Sequence, residues 1–231
     1  MTQVSRARAW RSGIAAALLL SLGACGSLLP EPPAAPTLHL LTWRPPLSPA
    51  PAPTPAPAPM SSSAVLPQPA LPAQLSLRIN EPLAAAGFDS RRIIYLRQPY
   101  RLDYYARHEW ADTPARMLAP LLQSAFAVSG LYRVVVSAAS AANTELSLDT
   151  EIMRLQQDFS QRPSQLRLSL RASLLDNASR RVLASREFDV SLAAPSEDAQ
   201  GGVTAANLAL QQVLADLLRA PEFAPSRAAT P

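Results

Sequence analysis

Proline is unevenly distributed along this chain, and its distribution constrains the fold more than any other feature. Of the 24 prolines in 231 residues, 15 fall between Pro30 and Pro72. Proline lacks a backbone N–H and fixes φ, so a segment this rich in proline disfavours helix and sheet and favours extended polyproline II. The sequence therefore predicts an N-terminal anchor, a proline-rich segment and one folded domain.

The first 25 residues have the features of a bacterial lipoprotein signal. Three arginines precede a mostly apolar run from Ile14 to Leu22, which is too short to span a bilayer because a spanning helix needs about 20 residues. The run is typical of a secretory signal peptide. It ends in Leu22-Gly23-Ala24-Cys25, which resembles a lipobox. We predict cleavage between Ala24 and Cys25; the alternative is an ordinary signal peptide with a chance cysteine.

Cys25 is the only cysteine of the chain, which excludes a disulfide framework and a cysteine-cluster metal site. We expect its thiol to carry a diacylglyceryl group and its new amino terminus an N-acyl group, palmitate for example. Two or more acyl chains hold a protein firmly on a membrane, and no other cofactor is expected. Gly26 stands where Asp retains lipoproteins in the inner membrane of enterobacteria, so the resemblance implies outer-membrane anchoring with the domain facing the periplasm.

The net charge of +4 is largely a property of the signal peptide. Without residues 1–24, the chain has 18 basic and 17 acidic residues and a formal charge of +1. Phosphate binding needs a concentrated basic face, so we expect no nucleic-acid partner. The two histidines, His39 and His108, lie far apart in the sequence and leave little material for a zinc site, so we expect no metal.

Hydrophobic periodicity predicts an α+β domain with a two-layer, mostly antiparallel sheet and two helices packed on one face. Extended segments are predicted at 75–79, 93–96, 100–110 and 132–137, followed by three long strands between 146 and 192. Helices are predicted from Pro114 to Ser129, where Pro120 should cause a kink, and from Val203 to Leu218. Residue Arg186 falls on the nominally dry face of its strand, which leaves that register open.

Residues 37–43 form a short apolar island ahead of the main proline run. Their β-prone composition predicts a strand that pairs with the domain, in which case His39 is a strand residue and the prolines form an inter-strand loop. The other interpretation is that the proline-rich stretch is a tether. The predicted domain boundaries are 1–24 for the signal peptide, 25–74 for the anchor, short strand and proline-rich linker or loop, 75–220 for the domain and 221–231 for a flexible tail.

The sequence contains no recognised catalytic motif. His108-Glu109 is not followed by a second histidine at helical spacing, and no glycine-rich phosphate loop or Gly-x-Ser-x-Gly turn is present. We therefore expect no enzymatic activity and no catalytic residue. The most distinctive feature is an aromatic cluster, which is explained either by core packing or by docking of a protein or an acyl chain; its members are Tyr95, Tyr100, Tyr104, Tyr105 and Trp110.

The order of these features resembles the ABC-type transport auxiliary lipoprotein family, which includes paraquat-inducible protein C. The resemblance is carried by the lipobox, Arg92-Ile93-Ile94-Tyr95, the segment from Tyr104 to Trp110, and Pro114 with its leucine-rich helix. It implies a non-catalytic lipoprotein that works beside an ATPase, a permease and a mammalian-cell-entry-type periplasmic protein in lipid transport. Because some members form rings, a homo-oligomer is also implied. The alternatives are an envelope lipoprotein that binds acyl chains on its own, and an envelope hydrolase.

Overall fold

The computed structural model of the protein describes residues 34–45 and 75–225. The predicted cleavage site at Ala24 and the predicted lipid site Cys25 lie outside these residues. The described elements are β1 (Thr37–His39), β2 (Ser76–Ile79), β3 (Leu83–Ala84), β4 (Arg92–Gln98), β5 (Arg101–Trp110), α1 (Pro114–Ser129), β6 (Val134–Ser137), β7 (Leu146–Asp158), β8 (Gln165–Asp176), β9 (Val182–Ala193), α2 (Ala199–Arg219) and a 3-10 helix (Pro221–Phe223).

All nine strands belong to one open, mixed sheet organised around β7. One edge of β7 pairs along its length with β8, which pairs in turn with β9, and both pairings are antiparallel. The other edge carries β2, β3 and β4 in succession, each parallel to β7. β2 continues to β6, and β4 continues through β5 to β1. The predicted α+β class is confirmed, but the sheet is mixed: five of the eight strand pairings among the described residues are parallel, and each of the five includes a strand of at most seven residues.

The hydrophobic core lies between the sheet and its two helices. Alternate residues of β8, from Leu166 to Leu174, are buried toward the helices, as the period of two in a strand requires. The intervening positions form a polar face, on which the guanidinium of Arg171 lies 3.2 Å from Glu151 and 3.5 Å from Glu187. The sheet thus has one dry and one wet face.

Both helices begin at side-chain caps that the local sequence provides. Thr113 accepts a hydrogen bond from the Arg116 N–H, and Gly130 ends α1 in the left-handed conformation. The helix continues through Pro120. Asp198 caps α2, so the second helix begins four residues before the predicted Val203.

Within the apolar island predicted as a strand over 37–43, residues Thr37–His39 form β1. β1 pairs in parallel with the end of β5, Leu41 is buried in the core, and the backbone N–H of Thr42 donates to Asn207 Oδ1 over 2.6 Å. Residues 46–74 therefore connect two strands of one sheet.

The C-terminal boundary of the domain lies beyond the predicted one. Residues Pro221–Phe223 form a 3-10 helix, and the Phe223 side chain is fully buried. Tyr132 donates its hydroxyl hydrogen to the backbone oxygen of Phe223. The predicted flexible tail is therefore wrong for these residues, because sequence periodicity stops at the helix end and gives no signal for a single aromatic anchor. Residues 226–231 lie outside the described residues.

The same segment resolves the position of Arg186. This residue pairs with Ala172 in the sheet register and is exposed. Its guanidinium lies over the ring of Phe188, 5.0 Å from the centroid, and 3.0 Å from the carboxylate of Glu222 in the 3-10 helix. The predicted register of β9 therefore holds with the Arg186 guanidinium on the face that packs against the helices, because β9 lies at the edge of the sheet.

Candidate functional site

The predicted aromatic residues lie on the β4–β5 hairpin, but they do not form one cluster. Trp110 is buried in the core. Tyr95 and Tyr105 face one side of the hairpin with their ring centroids 4.7 Å apart. Tyr104 lies on the opposite side and is 49% exposed. Core packing therefore accounts for Trp110, whereas Tyr104 is available for contact with a partner.

The inner side of the hairpin forms an aromatic layer against the end of β7. The ring of Phe159 meets Tyr95 edge to face at a centroid distance of 5.8 Å. The guanidinium of Arg97 lies over both rings, 5.3 Å from Tyr95 and 5.2 Å from Phe159, which is within the range of cation–π attraction. Together with Arg162 and Glu197, Arg97 and Phe159 line an open depression of about 360 Å³.

A buried polar network joins this layer to Ser164, whose backbone N–H donates over 2.8 Å to the carboxylate of Glu197 just before α2. The Tyr105 hydroxyl donates to Gln157 Oε1 over 2.8 Å, and Gln157 Nε2 donates to Ser164 Oγ over 2.8 Å. Burial raises the pKa of Tyr105, and the negative charge of Asp198 acts in the same direction. Gln157 is almost fully buried, so its hydrogen bonds cannot be replaced by water without opening the fold.

The fold brings together the two histidines that lie 69 residues apart. His39 Nε2 lies 3.0 Å from His108 Nδ1, so one ring donates its N–H to the other. Burial, followed by the neighbouring His108, lowers the pKa of His39 below its usual 6.5. The sequence did not predict this pair, because the contact depends on the parallel pairing of β1 with β5. The only available signal was that both histidines lie in predicted strands.

The histidine pair has no partner set for catalysis or metal binding among the described residues. No hydrogen bond joins either ring to a serine or a carboxylate within residues 34–45 and 75–225, as a hydrolytic triad would require. In the same ranges, no group of three potential metal ligands is brought together. The hydrogen bond between the two rings joins β1 to β5, and among the described residues it positions no nucleophile.

One cavity between the sheet and the helices of the described residues is too small for an acyl chain. The cavity lined by Leu41, Leu118, Leu168 and Leu210 has a volume of about 10 Å³, whereas small-molecule sites usually measure about 300–1,000 Å³. An open depression of about 550 Å³ lies elsewhere, where α1 faces the ends of β2 and β6. No helix in the part of the chain that the structure describes is long and apolar enough to cross a membrane.

Comparisons with known proteins agree with this architecture. The profile of the ABC-type transport auxiliary lipoprotein component family matches residues 47–217. A crystal structure of a protein from Xanthomonas campestris is similar, with 29% identity and a TM-score of 0.59 over 64% of this chain and 83% of that chain. Another, described as an uncharacterized protein, shares the fold at 12% identity, with a TM-score of 0.55 over 63% of this chain and 90% of that chain. No curated protein matches the chain.

Proposed function

This chain belongs to the ABC-type transport auxiliary lipoprotein component family, and from that membership we propose a specific role for it. It is a non-catalytic, periplasm-facing lipoprotein that docks the mammalian-cell-entry-type periplasmic protein of a lipid transporter to the outer membrane. The observation that carries the proposal is the family match over residues 47–217. The permease and ATPase of the transporter complete the system, and a homo-oligomer would present several copies of the docking surface.

The anchoring part of the proposal rests on Cys25. This cysteine is the only one in the chain and stands directly after Leu22-Gly23-Ala24, and the matching family is a family of lipoproteins. Its diacylglyceryl and N-acyl groups would hold the protein on the membrane, since two or more acyl chains make dissociation rare. Gly26 favours anchoring in the outer membrane, because Asp at this position retains lipoproteins in the inner membrane of enterobacteria.

The non-catalytic part of the proposal rests on the geometry of the site. The polar groups near the hairpin hydrogen-bond to one another and support the fold, as in the Tyr105–Gln157–Ser164 network. The exposed outer side of the hairpin and the open depressions are suited to contacts with proteins or lipid surfaces. An independent acyl-chain carrier would need an internal cavity, and the cavity that Leu41, Leu118, Leu168 and Leu210 line between sheet and helices measures only about 10 Å³.

Anchoring is tested by fractionation of cells that express Cys25→Ser. We expect the variant to accumulate as precursor or soluble protein, because the thiol that accepts the lipid is missing. A matched control combines Cys25→Ser with Ser27→Cys, which restores a cysteine two residues outside the lipobox and should not restore membrane association. Membrane fractionation of Cys25→Ser at the level of the parent would contradict the anchor. Gly26→Asp should move the lipidated protein toward the inner membrane.

Docking is tested by cross-linking in cells that express the transporter. Purification of the lipidated protein should recover the mammalian-cell-entry-type protein or the permease, and the Cys25→Ser variant should recover much less. Absence of both partners from the cross-linked material, with the transporter present in the same membranes, would refute the docking role.

A further inference from the structure

The outer side of the β4–β5 hairpin exposes apolar side chains. In the antiparallel register, Leu102 lies opposite Leu96 and Tyr104 lies opposite Ile94, so these four side chains share one face of the hairpin, on which Ile94 itself is buried. Leu102 is 44% exposed and Tyr104 is 49% exposed. We define the hairpin tip as Leu96, Leu102 and Tyr104 of this face, together with the turn residue Tyr100.

The turn residue Tyr100 is conspicuous because its side chain is fully exposed. Its backbone has φ 64°, in the left-handed region that a bulky residue rarely occupies. Glycine would occupy this position without strain, and packing inside the fold does not require the tyrosine. A ring held outward at the end of a hairpin fits a role in contact with something outside the domain.

The β4–β5 hairpin that carries the tip is also rich in arginine. Residues 92–107 contain four arginines and one acid, a charge of +3 in a mature chain whose total is +1. The guanidinium of Arg92 lies 4.0 Å from the centroid of the Tyr104 ring. Arg101 is exposed and lies 3.1 Å from Asp103, the one acid of the segment. Arginine next to exposed tyrosine and leucine is the composition of a surface that binds an anionic, amphipathic interface.

The N-terminal end of β1 points toward the hairpin turn. β1 is parallel to β5, with Thr37 beside His108, so its first residue faces the end of β5 that follows the turn. From His108 back to Arg101, β5 spans about 23 Å. The 11 residues from Gly26 to Pro36 reach at most about 40 Å. The anchored end of the chain and the hairpin tip can therefore meet the same membrane surface.

We propose that the hairpin tip contacts the headgroup region of the membrane that carries the Cys25 anchor, with anionic phospholipid as its ligand. Tyr100 and Tyr104 would lie at the interface with their hydroxyls hydrated, and Leu102 would reach the acyl boundary. Arg92 and Arg101 would pair with phosphate oxygens. The contact rests on the proposed anchor, because tethering raises the effective concentration of the tip at the bilayer. It would fix the orientation of the domain on the membrane.

The test uses a single introduced thiol in the full-length lipidated protein. Lipidation consumes Cys25, the only native cysteine, so Tyr100→Cys carries the one site for an environment-sensitive fluorophore. Leu183→Cys is the matched control, because Leu183 is 48% exposed in the distant edge strand β9. The proteins are incorporated into vesicles of phosphatidylethanolamine and phosphatidylglycerol, and separately into vesicles of phosphatidylcholine, with and without spin-labelled quencher lipid.

We expect a blue shift and lipid quenching at position 100 and neither at position 183. The shift should be larger in the vesicles with phosphatidylglycerol, and Arg101→Glu should reduce it. A protein that floats with the vesicles while the label at position 100 stays in water would overturn the hairpin contact alone. Failure to float would overturn both the contact and the anchor. A blue shift that requires added mammalian-cell-entry-type protein, and is absent with vesicles alone, would assign the tip to protein docking and overturn the membrane contact.

Discussion

Phe223→Ala tests where the domain ends. The side chain of Phe223 is fully buried in the core, and its ring centroid lies 6.1 Å from that of Phe188. Its backbone oxygen accepts the hydroxyl hydrogen of Tyr132, whose pKa burial raises to about 12. The residue therefore closes the core at the end of α2, although it follows the last helical residue.

The expected loss of stability follows from this burial. Truncating a fully buried phenylalanine to alanine costs about 3–5 kcal/mol, because transfer free energy is lost and a cavity remains. Domains typically unfold with a free energy of about 5–15 kcal/mol, so the variant should lose a large share of its stability. At about 2–4 °C per kcal/mol for a domain of this size, Tm should fall by about 6–20 °C.

Urea unfolding of the mature protein, followed by far-UV circular dichroism, measures this loss. The midpoint should fall with little change in the m-value, since a similar surface is exposed on unfolding. Glu222→Ala is the neighbouring control; it removes only the exposed ion pair with Arg186 and should cost at most about 1 kcal/mol. A cost below about 1 kcal/mol for Phe223→Ala, against the 3–5 expected for a buried phenylalanine, would refute the reasoning and return residue 223 to a flexible tail.

Three further predictions concern the α2 N-terminus and the histidine pair. Gly201→Ala should destabilise the domain by about 1–3 kcal/mol in thermal melts, because a Cβ would overlap the backbone oxygen of Ser196; unchanged Tm would contradict that approach. Tyr105→Phe should cost about 1–3 kcal/mol in urea unfolding by leaving Gln157 Oε1 unpaired; a neutral result would show that the network is dispensable. The folded-state pKa of His39 is lowered, so at this residue the unfolded chain binds more protons than the folded chain does as pH falls below 6.5. Neutral His39 therefore contributes to the free energy of unfolding above pH 6.5, and this contribution is lost as pH falls through the folded-state pKa. In His39→Leu, the free energy of unfolding should fall less steeply with decreasing pH below 6.5. An equal pH dependence of the free energy of unfolding in both proteins would contradict this expectation.

Much of the fold follows from local periodicity. The long strands β7, β8 and β9 alternate apolar and polar residues, and α1 has a cap, an amphipathic repeat and a terminating glycine. These signals lie within a few residues of one another, so the sequence alone carries them. The short strand β1 was also predicted, because its apolar residues stand out from the prolines around them.

The missed features depend on contacts between distant segments. The His39–His108 pair forms only when β1 lies beside β5, and Phe223 is recognised as buried only when the end of α2 is placed against Phe188. Likewise, Tyr104 and Tyr105 are adjacent in the sequence but face opposite sides of the hairpin. The sequence pattern therefore identified the aromatic segment of the candidate site, whereas the assignment of each ring to core or surface required the strand register.

Co-flotation tests whether the lipidated protein brings the periplasmic protein to a membrane. The mammalian-cell-entry-type protein encoded with the transporter is mixed with vesicles that carry the lipidated protein, and in parallel with the Cys25→Ser variant and plain vesicles. If the lipidated protein docks the mammalian-cell-entry-type protein, we expect that protein to float with the vesicles only when the lipidated protein is on them. Equal recovery on plain vesicles, or no recovery on vesicles that demonstrably carry the lipidated protein, would contradict it.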